Sequence, residues 1–214
     1  LFVSLPIELS DCKSLLVLFV ENNILTGTLD GIFGPHMNLE NIDLSNNRLS
    51  GSVPEGVFIM KNINTIALSL NCFEGRLPLE MCTAKNVSVL SMDGLGAARH
   101  CKHTYQAPLS GVTLYNTLDG SIPECLWALP SLQVMHLTGN GLTGTLGGVM
   151  YPNSSLTTIA IAYNKISGTI PDFIQYKDFK YLDLSYNKLT GRYAQVNDGS
   201  FTELEVNRLS GRFP

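Results

Sequence analysis

The stretch at residues 41–54, NIDLSNNRLSGSVP, decides the fold because the chain repeats it. Close copies read IAIAYNKISGTIP at residues 159–171 and YLDLSYNKLTG at residues 181–191. An asparagine anchors each copy, and successive anchors lie 24, 24, 45, 24, 24, 23 and 20 residues apart. The anchors are Asn23, Asn47, Asn71, Asn116, Asn140, Asn164, Asn187 and Asn207. Repetition at this period predicts a solenoid of stacked coils.

Each slot of the repeat has a physical reason. Apolar residues alternate with variable ones before each anchor, as at Ile42 and Leu44, which predicts a short strand with one buried face. Such strands become stable by stacking into a parallel sheet. The anchor side chain carries both a donor and an acceptor, so we expect a ladder of buried amides that satisfies the turning backbone. The expected members are Asn23, Asn47, Asn71, Asn140, Asn164 and Asn187.

The pattern LxxLxLxxNxLxGxIP resembles the plant-type class of leucine-rich repeat, and the resemblance covers nearly the whole chain. It implies an α/β leucine-rich-repeat solenoid in the form of a right-handed horseshoe or superhelix. A concave parallel sheet of short strands, 3₁₀-like convex returns and few or no long helices are expected. We interpret residues 1–214 as one solenoid fragment of about eight repeats without terminal caps, cut from a longer protein. The last copy, LEVNRLSG, is expected to lack two residues between its strand and its asparagine.

The repeat is interrupted once, where Leu95 stands in place of the fourth anchor. About 21 extra residues, at 93–113, are predicted to leave the coil as an island loop. Insertions in solenoids map to loops and often to the binding face. Some plant-type receptor ectodomains, which this chain resembles here in position only, use such an island in a ligand pocket. The candidate island contacts are His100, Lys102, His103 and Tyr105.

Cysteines and sequons favour an oxidising, secreted setting. The disulfide candidates are Cys72, Cys82, Cys101 and Cys125, and the interpretation favours Cys101 bonded to Cys82 or Cys125, with Cys72 in a second bridge. The run His100-Cys101-Lys102-His103 matches no common zinc spacing, so no metal or other cofactor is predicted. The sequons at Asn86 and Asn153 precede strands, which predicts glycans on an edge or on the convex side.

Composition excludes several function classes. Charged residues make up 15% of the chain and the net charge is −4, without the clustered Lys and Arg of a nucleic-acid surface. The longest apolar run, residues 15–20, is too short to insert into a membrane. Only His136 among the histidines falls on a predicted strand, and no relay partner accompanies it, so an enzyme is not expected.

The outward-facing strand positions carry the functional hypothesis. They are expected to form a sheet rich in small residues and nearly uncharged, which suits a peptide or glycan. Aromatic residues and one histidine depart from the generic pattern and are the candidate ligand contacts: Phe19, His136, Tyr163, Tyr181 and Tyr186. The other interpretation is that they fill gaps between coils. We therefore predict a non-catalytic extracellular or cell-surface module that binds a protein, peptide or glycan ligand on the concave face beside the island. The alternative is a structural or adhesive component whose partners are neighbouring subunits of an assembly.

Overall fold

The computed structural model of the chain describes residues 3–96, 101, 103–107, 110–114, 118–193 and 201–210. Short strands make up most of its regular structure. In chain order they are β1 (Val17–Phe19), β2 (Thr26–Gly27), β3 (Asn41–Asp43), β4 (Arg48–Ser52), β5 (Thr65–Ala67), β6 (Cys72–Glu74), β7 (Val89–Ser91), β8 (His103–Ala107), β9 (Ser110–Leu114), β10 (Val134–His136), β11 (Thr158–Ala160), β12 (Ser167–Thr169), β13 (Tyr181–Asp183), β14 (Lys188–Gly191), β15 (Phe201–Glu203) and β16 (Arg208–Leu209).

Eight of these strands form one parallel sheet in the order β1-β3-β5-β7-β10-β11-β13-β15. The central residue of each strand points inward, and Ile42, Ile66 and Ile159 are fully buried there. This inward column is the spine of a continuous apolar core that runs through the stack. The predicted solenoid with a parallel sheet of short strands is confirmed.

The convex side is made of short helical returns, also as predicted. They are the 3₁₀ helices Ile7–Asp11, Glu55–Val57, Leu79–Thr83 and Glu124–Ala128, and the four-residue helix α1 (Asp172–Gln175). A proline precedes each of them, at Pro6, Pro54, Pro78, Pro123 and Pro171. Proline suits this place because its ring sets φ for the helix entry and no amide donor is needed.

The anchor asparagines form the ladder that holds successive coils together. The amide nitrogen of Asn71 donates to the carbonyl of Leu68 in its own coil at 2.9 Å and to that of Leu44 in the preceding coil at 3.0 Å. Its side-chain oxygen accepts the backbone N–H of Leu49 at 3.1 Å. Asn47, Asn140, Asn164 and Asn187 repeat this arrangement and are likewise buried. Asn23 is exposed and donates only within its own coil among the described residues.

The residue before each anchor position, including Leu95 in the fourth coil, takes a left-handed backbone conformation. Gly94 and Gly139 adopt it without strain, but Leu70, Tyr163 and Tyr186 adopt it with φ between 51° and 56°. A side chain in this region costs about 1–2 kcal/mol. The conformation is what turns the chain inward toward the ladder, so the fold imposes it whichever residue occupies the position.

The fourth coil contains an antiparallel hairpin. Within the described residues, strands β8 and β9 pair with each other and with no other strand, and His103 is opposite Leu114. Below it the main sheet is unbroken, because β7 pairs directly with β10. The backbone returns to the solenoid at Leu118, which bridges Gly75 of the preceding coil.

The favoured pairing of Cys101 with Cys82 or Cys125 is wrong. Cys101 is bonded to Cys72, and Cys82 is bonded to Cys125. Cys72 directly follows the ladder residue Asn71, and the Cys101 sulfur lies 3.1 Å from the Asn71 carbonyl oxygen, so the inserted segment passes this edge of the coil. Cys82 and Cys125 lie on the packed convex helices Leu79–Thr83 and Glu124–Ala128, which places their Cα atoms 5.5 Å apart.

The expected gap in the last copy is also wrong. Strand β15 aligns Phe201 with Tyr181 and Glu203 with Asp183. Glu203 therefore precedes Asn207 by four residues, as Asp183 precedes Asn187. The inward slot holds the polar Thr202 where the other copies have an apolar residue, which hid the strand from the sequence pattern. The shortening of this coil to 20 residues falls before its strand.

We predict that Asn71→Ala lowers the free energy of unfolding by about 2–4 kcal/mol, because three buried backbone groups lose their partner. Asn23→Ala is the matched control, since this exposed asparagine donates only to its own coil among the described residues, and it is expected to change stability by under about 1 kcal/mol. Urea unfolding followed by circular dichroism measures both. Equal losses would show that the inter-coil bonds of the ladder contribute nothing.

We predict the disulfide map as a second test of the fold. A non-reducing digest should yield one peptide pair joining Cys72 to Cys101 and another joining Cys82 to Cys125, with Cys12 recovered as a free thiol. Mass spectrometry of the digest before and after reduction identifies the pairs. Recovery of Cys101 linked to Cys82 or Cys125 from the native protein would contradict the structure.

Candidate ligand-binding face

The outward residues of the eight-stranded sheet form columns, because equivalent residues of successive coils lie side by side. The strand registers give two columns, one from Val17 to Phe201 and one from Phe19 to Glu203. A third column continues beyond the strand ends, where backbone bonds such as Tyr163 N–H to the Ser185 carbonyl link the coils. Its members are Glu21, Ser45, Ser69, Asp93, Thr138, Ala162, Ser185 and Glu205. We call these three columns the concave face.

Two tyrosines form a ridge along one border of the concave face. Tyr163 and Tyr186 occupy the left-handed position of adjacent coils, and their rings stack with centroids 4.1 Å apart and planes 9° apart. Tyr163 is 57% exposed and Tyr186 is 38% exposed. Their hydrogen bond is the main cause that raises the pKa of Tyr163, ahead of desolvation and the nearby carboxylates. We call this pair the tyrosine ridge.

A second aromatic stack lies at the opposite border, between Tyr181 of β13 and Phe201 of β15, with ring centroids 5.5 Å apart. The small residues between the two stacks, such as Ala160 and Ala162, are buried although they face outward. Their equivalents in earlier coils, such as Ala67 and Ser69, are only half-buried. The larger side chains around them account for the difference, so these aromatics both cover the sheet and present exposed ring surface.

His136 and Asp93 form the wall next to the inserted segment. The His136 Nδ1 atom lies 3.6 Å from Asp93 Oδ2, and the other carboxylate oxygen of Asp93 accepts the backbone N–H of Thr138 at 2.6 Å. Asp93 thereby ties β7, the last strand before the insertion, to β10, the first strand after it. Leu95, two residues later, is still buried in the core, and its backbone N–H donates to Asn140.

Carboxylates raise the pKa of their neighbours at the aromatic end of the face. Burial, followed by the charges of Asp183 and Glu203, raises the pKa of Tyr181. Burial and the charges of Asp183 and Glu205 raise the pKa of Glu203. Asp183 accepts bonds from the backbone N–H and the hydroxyl of Ser185, which hold it in place as a buried charge.

The expectation of a nearly uncharged face is wrong. Six carboxylates occupy the three columns, and no Lys or Arg does. They are Glu21, Asp43, Asp93, Asp183, Glu203 and Glu205. The last strand was not predicted from the sequence, because the polar Thr202 occupies its inward position. Glu203, Glu205 and Phe201 were therefore missed. The four-residue spacing of Glu203 from Asn207 was the signal that could have located them.

The structure brings together four of the five predicted concave contacts. His136, Tyr163 and the pair Tyr181 and Tyr186 lie on three adjacent coils. Phe19 is exposed on β1, five coils from Tyr163, which at the usual strand spacing is about 24 Å away. Phe19 is therefore not part of this cluster.

The island candidates contribute little that can be placed. His100 and Lys102 lie outside the described residues, and His103 and Tyr105 belong to β8, of which only the backbone is described. Among the described residues no group of three or more His, Cys, Asp or Glu is arranged to hold a metal ion. In the same part of the chain, no helix has the length and hydropathy needed to cross a membrane.

Both sequon asparagines are exposed. Asn86 precedes β7 and its amide donates to the Lys61 carbonyl at 2.7 Å, beside Asn64 and Ser88 at the edge where the strands begin. Asn153 lies in the return that leads to β11. Glycosylation of either residue stays a prediction.

Comparisons with known proteins agree with this architecture. The Leucine Rich Repeat family model matches residues 38–58. Over 95 residues the chain is 34% identical to Serine/threonine-protein kinase BRI1-like 1 of Arabidopsis thaliana, covering 42% of this chain and 8% of that protein. The crystal structure of the Arabidopsis receptor kinase HAESA ectodomain, in complex with an N-terminally extended IDA peptide hormone ligand, matches with a TM-score of 0.80 at 27% identity. That match covers 99% of this chain and 33% of that chain.

A plant ice-binding protein shares the fold, with a TM-score of 0.71 at 23% identity over 90% of this chain and 57% of that one. The chain is therefore similar to plant leucine-rich-repeat proteins, in its fold and in the repeat at residues 38–58. By sequence and fold it resembles the ectodomains of plant receptor-like proteins and receptor kinases, of which it spans a third or less.

We predict that Asp183→Asn lowers the pKa of Tyr181, because removing the neighbouring negative charge makes the phenolate easier to form. Asp43→Asn is the matched control, since Asp43 occupies the same column and also accepts the N–H two residues on, but lies five coils away. A pH titration of ¹³C-labelled tyrosine rings by NMR measures the change. An unchanged Tyr181 pKa in Asp183→Asn, or an equal fall in Asp43→Asn, would show that this carboxylate does not act on the ring.

Proposed function

We propose that the chain is a non-catalytic recognition module that binds a peptide or protein segment on its concave face, centred on the tyrosine ridge. The observation that carries this proposal is the exposed, stacked pair Tyr163 and Tyr186. Rings stacked in this way offer a rigid apolar surface that loses little side-chain entropy when a ligand covers it. Aromatic residues of this kind dominate the binding energy of many interfaces.

The backbone supports the same assignment. Tyr163 and Tyr186 stand in left-handed positions, where glycine occurs at Gly94 and Gly139 without strain. Tyrosine accepts a backbone cost there that glycine avoids. The same conformation occurs at Leu70 and Val206, so the repeat fixes the backbone here and leaves only the side chain open to selection.

The neighbouring groups define the extent of the proposed site. His136 and Asp93 bound it on the side of the inserted segment, and the disulfide Cys72–Cys101 anchors that segment at the adjacent coil. We propose that the segment at residues 93–113, with His100, Lys102, His103 and Tyr105, forms a rim of the site. The module is proposed to act outside the cell, since two disulfides favour an oxidising compartment.

The comparison with HAESA supports a peptide as the ligand class, because that ectodomain was solved with a peptide hormone. The competing function is that of a spacer in an assembly. A spacer would not require the rings of Tyr163 and Tyr186 to be exposed. Peptide selection against the protein separates the two.

We predict that the double variant Tyr163→Ala and Tyr186→Ala loses at least about tenfold in affinity for peptides selected on the wild-type chain from a random displayed library, because the apolar platform is removed. Its melting temperature should change by less than about 3 °C, since both rings are exposed. Biolayer interferometry and calorimetry give the two values.

The control is Tyr151→Ala with Tyr176→Ala, which removes two exposed tyrosines beside the convex return. These substitutions should leave peptide affinity unchanged. Peptides that are lost with the control pair and retained by the ridge variant would overturn the proposed site. A ridge variant that melts much lower while keeping its affinity would show that the tyrosines are packing residues.

A further inference from the structure

Charges on the two sides of the tyrosine ridge are of opposite sign. The concave face holds six carboxylates and no Lys or Arg. The column directly beyond the ladder asparagines, one residue after each anchor, holds Arg48, Lys165, Lys188 and Arg208 and no acidic residue among its described members. We call this second set the flank column. The ridge lies between the acidic face and the basic flank column.

Exposed charged groups flank the ridge. Glu205 belongs to the third column of the concave face, and its backbone carbonyl accepts the N–H of Tyr186. Asp183 lies on the same face but is buried and bonded by Ser185. Glu205 is exposed, as are Lys165 and Lys188, which follow Tyr163 and Tyr186 by two residues. Within the described part of the chain, no ion pair joins Glu205, Lys165 or Lys188 to an opposite charge, so these three groups do not neutralise one another.

The two charged borders have a definite separation. Glu205 and Arg208 are three residues apart along the chain, and Lys188 is the equivalent of Arg208 in the preceding coil. An extended chain spans about 3.3 Å per residue, so the Cα atoms of Glu205 and Arg208 lie no more than about 10 Å apart across the ridge. A peptide that crosses the ridge covers this distance with two or three residues.

Resting on the proposed function, we propose that the ligand segment is dipolar. It presents a cationic group to Glu205, an apolar or aromatic residue to the tyrosine ridge, and an anionic group to Lys165 and Lys188. The opposite charges at the two borders give the segment one preferred direction across the ridge. Charge complementarity of this kind sets register and rejects wrongly charged partners.

The test uses synthetic peptides that were selected on the full chain and that need Tyr163 and Tyr186 for binding. Each is compared with an analogue in which its basic and acidic residues are exchanged. We expect the exchanged analogue to bind the wild-type chain about tenfold more weakly. The variant Glu205→Lys with Lys165→Glu and Lys188→Glu should reverse the preference. Lys61→Glu, which lies far from the ridge, changes the net charge by the same amount as the triple variant and is the control for net charge.

Two outcomes would overturn the inference. Selected peptides without paired opposite charges, or equal affinity for both analogues on every variant, would show that the ridge ignores charge. In that case the loss of binding in the Tyr163→Ala and Tyr186→Ala double variant would still stand, and the proposed function with it. Peptides that bind without needing the ridge would instead refute the proposed function.

Discussion

The structure depends on one constraint, which is that a chain turning into its own core must give every buried peptide group a partner. The asparagine ladder meets this constraint with one side chain per coil, except in the fourth coil, where Leu95 takes the anchor position and its backbone N–H bonds Asn140. Asn71, for example, bonds a carbonyl of its own coil and both a carbonyl and an N–H of the preceding one. Since each amide needs the adjacent coil to complete its bonds, no coil is satisfied alone. The repeat period, the register of the sheet and the continuity of the core all follow from that mutual requirement.

The same constraint separates the positions that hold the fold from those available for recognition. Inward residues such as Ile42 and Leu44 have almost no freedom, while the concave columns can vary without breaking a ladder bond. The left-handed residue before each anchor belongs to both groups, because its backbone is dictated and its side chain is not. In the sixth and seventh coils tyrosines occupy this place, and the stacked pair results from nothing more than adjacent coils carrying the same ring.

Sequence alone was sufficient for what repeats and insufficient for what occurs once. The strand periodicity, the anchors and the convex returns were legible because each recurs with the same chemistry. The pairing of Cys101 with Cys72 could not be predicted from the sequence, because it depends on the path of an insertion that occurs once in the chain. The strand at Thr202 was missed because a polar residue fills its inward position. As a result, Glu203 and Glu205 were not assigned to the concave face. His136 and the tyrosines were visible as departures from the pattern, but their grouping on three adjacent coils required the register.

The bridge between Cys82 and Cys125 has a mechanical consequence for the whole array. It joins the convex helices of the two coils on either side of the insertion, where β7 meets β10. Stacked repeats held only by nearest-neighbour contacts can peel apart from an end, one unit after another. The disulfide in the middle of the array stops this process, because the next repeat cannot separate until the Cys82–Cys125 bond is broken. At the interrupted coil the covalent bond thus adds to the strand pairing of β7 with β10, and separation of the array must stop there while the disulfide is intact.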